Sequence, residues 1–190
     1  MYLIQSGNEL NMKNRIYLFL LVSLVAVACT DTQNRFKNSV IQLTSQPISI
    51  PYDKLCKIGN DSTYDQMEGF YRLIVFTDSL SCASCALKHL VDWEPFLDSL
   101  NTIDSQIIPV FIFDPPRESR HTFERQVKSE VNIPVYIDTC HAFIKQNPHI
   151  PDLRSLQVFL INDRDSVVLV GNPLTNEKIK MMLFDILKSK

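Results

Sequence analysis

Leu73-Ile74-Val75-Phe76-Thr77-Asp78-Ser79-Leu80-Ser81-Cys82-Ala83-Ser84-Cys85 is the stretch on which the fold turns. Leu73 to Phe76 is a continuous apolar run, the pattern of a strand buried on both faces. The link Thr77 to Ser81 ends it. From Cys82 onward the apolar residues Leu87, Leu90, Val91, Leu97 and Leu100 recur at helical spacing. A buried strand therefore gives way to a helix, and a Cys-x-x-Cys pair falls on the junction.

That position carries chemistry. Unpaired N–H groups and the macrodipole at a helix N-terminus stabilise an anion. The thiolate is the nucleophile in disulfide exchange, so such a place favours the reactive form. Cys85, one turn on, can attack a mixed disulfide and release the product. Cys82 is read as nucleophile and Cys85 as resolving thiol. The same pair also fits a structural disulfide or half of a zinc site. Zinc would want a second ligand pair, and the sequence has no second Cys-x-x-Cys and no His-x-x-His.

Downstream, Ile107-Ile108-Pro109-Val110-Phe111-Ile112-Phe113 reads as a second buried strand. A charged helix follows, with Phe123, Val127 and Val131 on one face. Pro134 to Asp138 and Gln157 to Ile161 are two more strands. Asn162 to Ser166 is a turn, from which Val167 to Val170 returns. A last helix has Thr175 as N-cap, Glu177 in its first turn, and Lys188 and Lys190 at its end. Upstream, Ile48-Ser49-Ile50 sits between prolines as a short edge strand, and Gly59 to Ser62 is a turn. Strands alternating with helices predict an α/β domain: a central mixed sheet with helices on both faces and a late antiparallel hairpin.

The N-terminus reads as an address. Lys13 and Arg15 precede an apolar run from Ile16 to Ala28 that is short for a membrane span. It ends in Ala26-Val27-Ala28-Cys29, which resembles a bacterial lipobox. The resemblance implies diacylation of Cys29, which becomes the mature N-terminus; an uncleaved signal anchor is the alternative. Met12 is a more ordinary start for such a leader than Met1. Residues 1–28 are thus read as signal peptide, 29–45 as lipidated cysteine and polar tether, and 46–190 as the folded domain. A membrane lipoprotein of the bacterial envelope, facing the periplasm or the exterior, is expected, where disulfide chemistry is normal.

Charge is nearly balanced, 19 basic against 21 acidic residues, without a basic block, so no nucleic-acid partner is expected. Five cysteines are an odd number; with Cys29 lipidated, Cys56, Cys82, Cys85 and Cys140 remain. Cys56 and Cys140 are a conceivable second pair. Cys140 follows a strand directly, at the end of a parallel sheet where ligand sites collect. It is an auxiliary candidate, with His141 beside it, although burial as an ordinary thiol competes. Asp78, close before Cys82, is a second auxiliary candidate, as proton acceptor or as turn-former. Trp93 and Phe96 read as packing residues.

The order of elements and Ser81-Cys82-Ala83-Ser84-Cys85, with Asn147-Pro148-His149-Ile150-Pro151, Phe159-Leu160-Ile161 and Val170-Gly171-Asn172-Pro173, resembles the thioredoxin-like superfamily. The extra α-β insertion is similar to that of the TlpA/ResA-like branch and of Bacteroidetes thioredoxin-like lipoproteins, over residues 46–190. The resemblance implies a tethered thiol–disulfide oxidoreductase that needs no cofactor. Its partners would be a protein thiol or disulfide and a membrane electron donor. The family carries Trp before the first cysteine, where this chain has Ser81, and a cis-proline whose place falls near Leu156. Three rivals stand beside this reading. One is a non-catalytic binding lipoprotein with Cys82–Cys85 as a staple. Another is a peroxiredoxin-like peroxidase, for which Ser79 fits but Val75 stands in place of proline. The third is a Sco-like metal site using Cys82, Cys85, His141 and His149.

Overall fold

The computed structural model describes residues 15, 17, 33–59, 71–78, 83–101, 107–130 and 133–189, with only the backbone of 83–89, 101 and 130. The chain divides into two compact units, Met1–Ile41 and Gln42–Lys190. Cys29 and almost all of the leader lie outside the described residues. A helix, α1, occupies residues 33–43, within the stretch read as a tether. No helix among the described residues is long and apolar enough to cross a membrane.

Among its described residues the second unit has six strands: β1 (Cys56–Ile58), β2 (Tyr71–Thr77), β3 (Ile107–Phe113), β4 (Val135–Ile137), β5 (Val158–Ile161) and β6 (Val167–Val170). Its helices are α2 (Ala83–Asn101), α3 (Arg120–Glu130), α4 (Ala142–Gln146) and α5 (Glu177–Lys188). The sheet order is β1-β4-β3-β2-β5-β6. β2, β3 and β4 run parallel, whereas β1, β5 and β6 pair antiparallel with their neighbours. The expected mixed sheet is therefore present.

Strand alternation sorts the core into two layers. Leu73, Val75, Phe111, Phe113 and Leu160 belong to one cluster with Trp93 and Leu97 of α2, Phe123 of α3 and Leu183 of α5. The crossovers through α2 and α3 step the same way across the sheet, so right-handedness puts both helices on that face. Trp93 stands edge-on to Phe111 with ring centroids 5.6 Å apart. Phe76, one residue out of phase with Val75, meets Phe143 of α4 at 5.1 Å on the other face.

Three local expectations are corrected. Ile48–Ile50 is not a strand; Ile48 is buried and its N–H donates to Asp165 O at 2.8 Å, but its neighbour Ser49 is paired by a side chain. The edge strand is Cys56–Ile58 instead, antiparallel to β4. The N-cap of α5 is Asn176 rather than Thr175, its side chain accepting from Lys178 N and Ile179 N. Val91 is exposed, and Trp93 and Phe96 take core positions instead. Val131 and Lys190 lie outside the described residues.

Candidate functional site

Each of the three parallel strands is followed at its carboxyl end by an aspartate: Asp78 after β2, Asp114 after β3 and Asp138 after β4. The backbone is stitched one residue past the strands, Asp114 N donating to Thr77 O at 2.9 Å and Asp138 N to Phe113 O at 2.7 Å. The three carboxylates are thereby fixed along one edge, the end of a parallel sheet where ligands collect.

Their roles differ. Asp138 is almost fully buried and holds the turn into α4. Its Oδ1 accepts from Cys140 N at 3.1 Å and Ala142 N at 2.9 Å, and its Oδ2 from Phe143 N at 2.8 Å. Within that turn His141 adopts the left-handed conformation, φ 54° and ψ 35°. Its Nδ1 forms a short bond to Asp114 Oδ2. Asp114 is buried, whereas the imidazole is about half exposed. Burial pushes the Asp114 carboxyl above its ordinary range, against the opposing pull of the bond and charge of His141. Asp78 accepts from Gln157 Nε2 at 2.9 Å, across to the start of β5.

Asp78, Asp114, His141 and Gln157 line a pocket of about 340 Å³. Phe76, Ile144, Ile150 and Pro151 give apolar walls; Asp78, Asp114, His141, Asp152 and Gln157 supply the polar groups. A small apolar cavity with a few convergent polar groups is the usual form of a ligand site. Cys140 is an exposed free thiol beside the pocket-lining His141 but is not itself among the lining residues. Cys56 is likewise free and exposed, so the described structure holds no Cys56–Cys140 disulfide. Cys82 lies outside the described residues, and Cys85 is placed only by backbone, in the first turn of α2. His149 is buried, and neither ring nitrogen bonds a described residue. Among the described residues no three His, Cys, Asp or Glu side chains converge as a metal site.

Asp114, Asp152 and Gln157 were not singled out from sequence. The recurring Asp after each buried apolar run was the available signal for Asp114. Leu156, the position near which the sequence resemblance puts a cis-proline, sits fully buried in a 3-10 turn, Arg154–Leu156, and no cis peptide occurs among the described residues.

No family model matches the chain, and no curated protein matches it. Solved structures do. A thioredoxin-like protein from Bacteroides caccae is 13% identical, with a TM-score of 0.44 over 82% of this chain; the match spans 56% of that protein's length. A thioredoxin-like protein in its oxidised form is 17% identical, with a TM-score of 0.51 over 75% of this chain and 97% of its own. A candidate protein disulfide isomerase from Bacteroides thetaiotaomicron is 16% identical, with a TM-score of 0.45 over 74% of this chain and 85% of its own. With its mixed sheet flanked by helices and the likeness to the oxidised thioredoxin-like protein, the domain has the thioredoxin-like fold.

Proposed function

We propose that the protein is a membrane-tethered thiol–disulfide oxidoreductase that cycles Cys82 and Cys85 between dithiol and disulfide. One observation carries the reading: in a thioredoxin-like fold, the pair falls in sequence between β2, whose end supplies Asp78 to the pocket, and the first turn of α2. The Cys82 thiolate attacks a protein disulfide and Cys85 resolves the mixed disulfide. Acylation of Cys29 would hold the domain at the envelope membrane, where a membrane electron donor could re-reduce it.

Ser81 and Leu156, at the places of the family's Trp and cis-proline, favour a second reading: a binding lipoprotein in which the pair is a fixed staple. A redox titration separates the two. Residues 30–190 are equilibrated in graded thiol buffers, alkylated and mapped by mass spectrometry. A reversible Cys82–Cys85 transition in the folded domain is the expected result, and its midpoint gives the direction of electron flow. A pair that opens only on unfolding would establish the staple.

A further inference from the structure

The pocket at the carboxyl ends of the parallel strands is rich in acceptors and poor in cations. Asp78, Asp114 and Asp152 line it against a single imidazole, that of His141, and no Lys or Arg is among its described lining residues. Ser79 to Cys82, which follow Asp78 outside the described residues, add no Asp, Glu, Lys or Arg. The lining is negative even on the least favourable count: with Asp114 protonated and His141 charged, Asp78 and Asp152 still outnumber one cation. Two basic residues stand nearby but do not line the cavity. Arg120 of α3 acts on Asp114, where Asp138 opposes it in sign, and its Nη2 donates to Thr139 O at 3.5 Å. Lys145 Nζ of α4 donates to Cys140 O at 2.7 Å.

One wall group has an open acceptor. The Asp114 side chain is only 6% exposed. Its bonding is confined to Oδ2, which meets His141 Nδ1; Oδ1 accepts no hydrogen bond from a described residue. Buried polar groups are almost always paired, so an unmatched carboxylate oxygen in a cavity wall calls for a donor from outside the chain. Around it Phe76, Ile144, Ile150 and Pro151 are apolar, and Asp152 is exposed. Carboxylates set among apolar walls suit a cationic head on an apolar stem, the construction of an arginine or lysine side chain. A bare metal ion suits them less, because no three described His, Cys, Asp or Glu side chains converge. The volume, about 340 Å³, is at the small end for ligand pockets, the scale of one such stem and head.

We infer that this pocket binds an organic cation, a guanidinium or ammonium group on an apolar stem, presented by a peptide side chain or as a free alkylamine. No cysteine sulfur takes part, so the inference holds whether Cys82 and Cys85 cycle or form a fixed staple.

The test titrates the full chain, labelled with nitrogen-15, with butylguanidinium and with butylurea, its neutral isostere. Saturating shifts at the amides of Asp78, Asp114 and His141 are expected from the cation. Its affinity should exceed that of the urea at least about tenfold, the factor that a hydrogen bond to a charged group supplies, and should fall as salt rises. Asp152→Lys places a cation at an exposed lining position and should weaken butylguanidinium at least about tenfold. Asp163→Lys makes the same charge change in the exposed turn between β5 and β6, beside the start of β2 at the other end of the sheet, and should alter it less than about twofold. Asp114→Asn should weaken binding as Asp152→Lys does, with the fold checked by far-ultraviolet dichroism. A blocked arginine tripeptide that binds more tightly than butylguanidinium would identify a peptide side chain as the occupant; weaker binding would identify a free cation. Absence of saturable shifts, equal affinity for cation and urea, or equal weakening by D152K and D163K would each overturn the inference.

Discussion

Asn147 and Ser49, 98 positions apart, are bonded in both directions: Ser49 N donates to Asn147 Oδ1 at 2.8 Å, and Asn147 Nδ2 donates to Ser49 O at 2.7 Å. The same Nδ2 donates to Phe143 O at 2.7 Å, and the side chain is fully buried. A side-chain amide thus copies a backbone pairing and ties the extended segment around Ser49 to the end of α4. Asn147→Ala strands these backbone groups and should lower stability by about 2–4 kcal/mol. The urea midpoint measures it; a loss below about 0.5 kcal/mol would mean that water replaces the amide.

Asp138 serves three amides at once, and its loss should be felt in the turn that carries His141. Asp138→Ala should cost about 2–3 kcal/mol, a cap's worth plus the burial penalty of the orphaned N–H groups. Asp138→Asn retains one acceptor oxygen and should cost less. Native-state hydrogen exchange at the amides of Ala142 and Phe143 should quicken in both variants, more in the alanine. Unaltered exchange there would show that Asp138 does not hold the turn.

The contrast between legible and hidden parts follows from how locally each is encoded. Buried parallel strands announce themselves as apolar runs, so Leu73–Phe76 and Ile107–Phe113 could be read directly. β1 could not: it is three residues long with a lysine in the middle, whereas the better-looking Ile48-Ser49-Ile50 owes its extended shape to Asp165 and Asn147. The Asp114–His141 pair spans 27 positions and exists only because β3 and β4 are neighbours. No spacing rule marks such a pair, although each partner sits directly after a strand or its turn. Gln157 meets Asp78 for the same reason, β5 lying against β2.

Leu156 offers a test of whether the turn before β5 can take a proline. Its N–H donates to Leu153 O at 2.8 Å and its side chain is fully buried. Leu156→Pro removes that donor, empties part of the core and restricts Leu156's neighbour Ser155. A loss of at least about 3 kcal/mol is expected. A variant as stable as the parent, by thermal unfolding, would show that the loop before β5 accepts proline after all.

The Asp114 carboxyl also makes a pH prediction with a definite sign. Burial, the largest influence on it, holds it above the ordinary value of 3.8. Over the range just above that value the folded protein keeps a proton that the unfolded chain has released. Stability from this group is therefore fully present below the ordinary value and is lost as pH rises through the raised one. Asp114→Asn cannot titrate, so it should remove this falling limb. Urea midpoints of parent and variant, taken stepwise upward from pH 3.8, should shift progressively in favour of the variant. Were the parent to gain on D114N over that interval, the bond and charge of His141 would outweigh desolvation, and Asp114 would act in the fold as one half of an ion pair rather than as a buried acid.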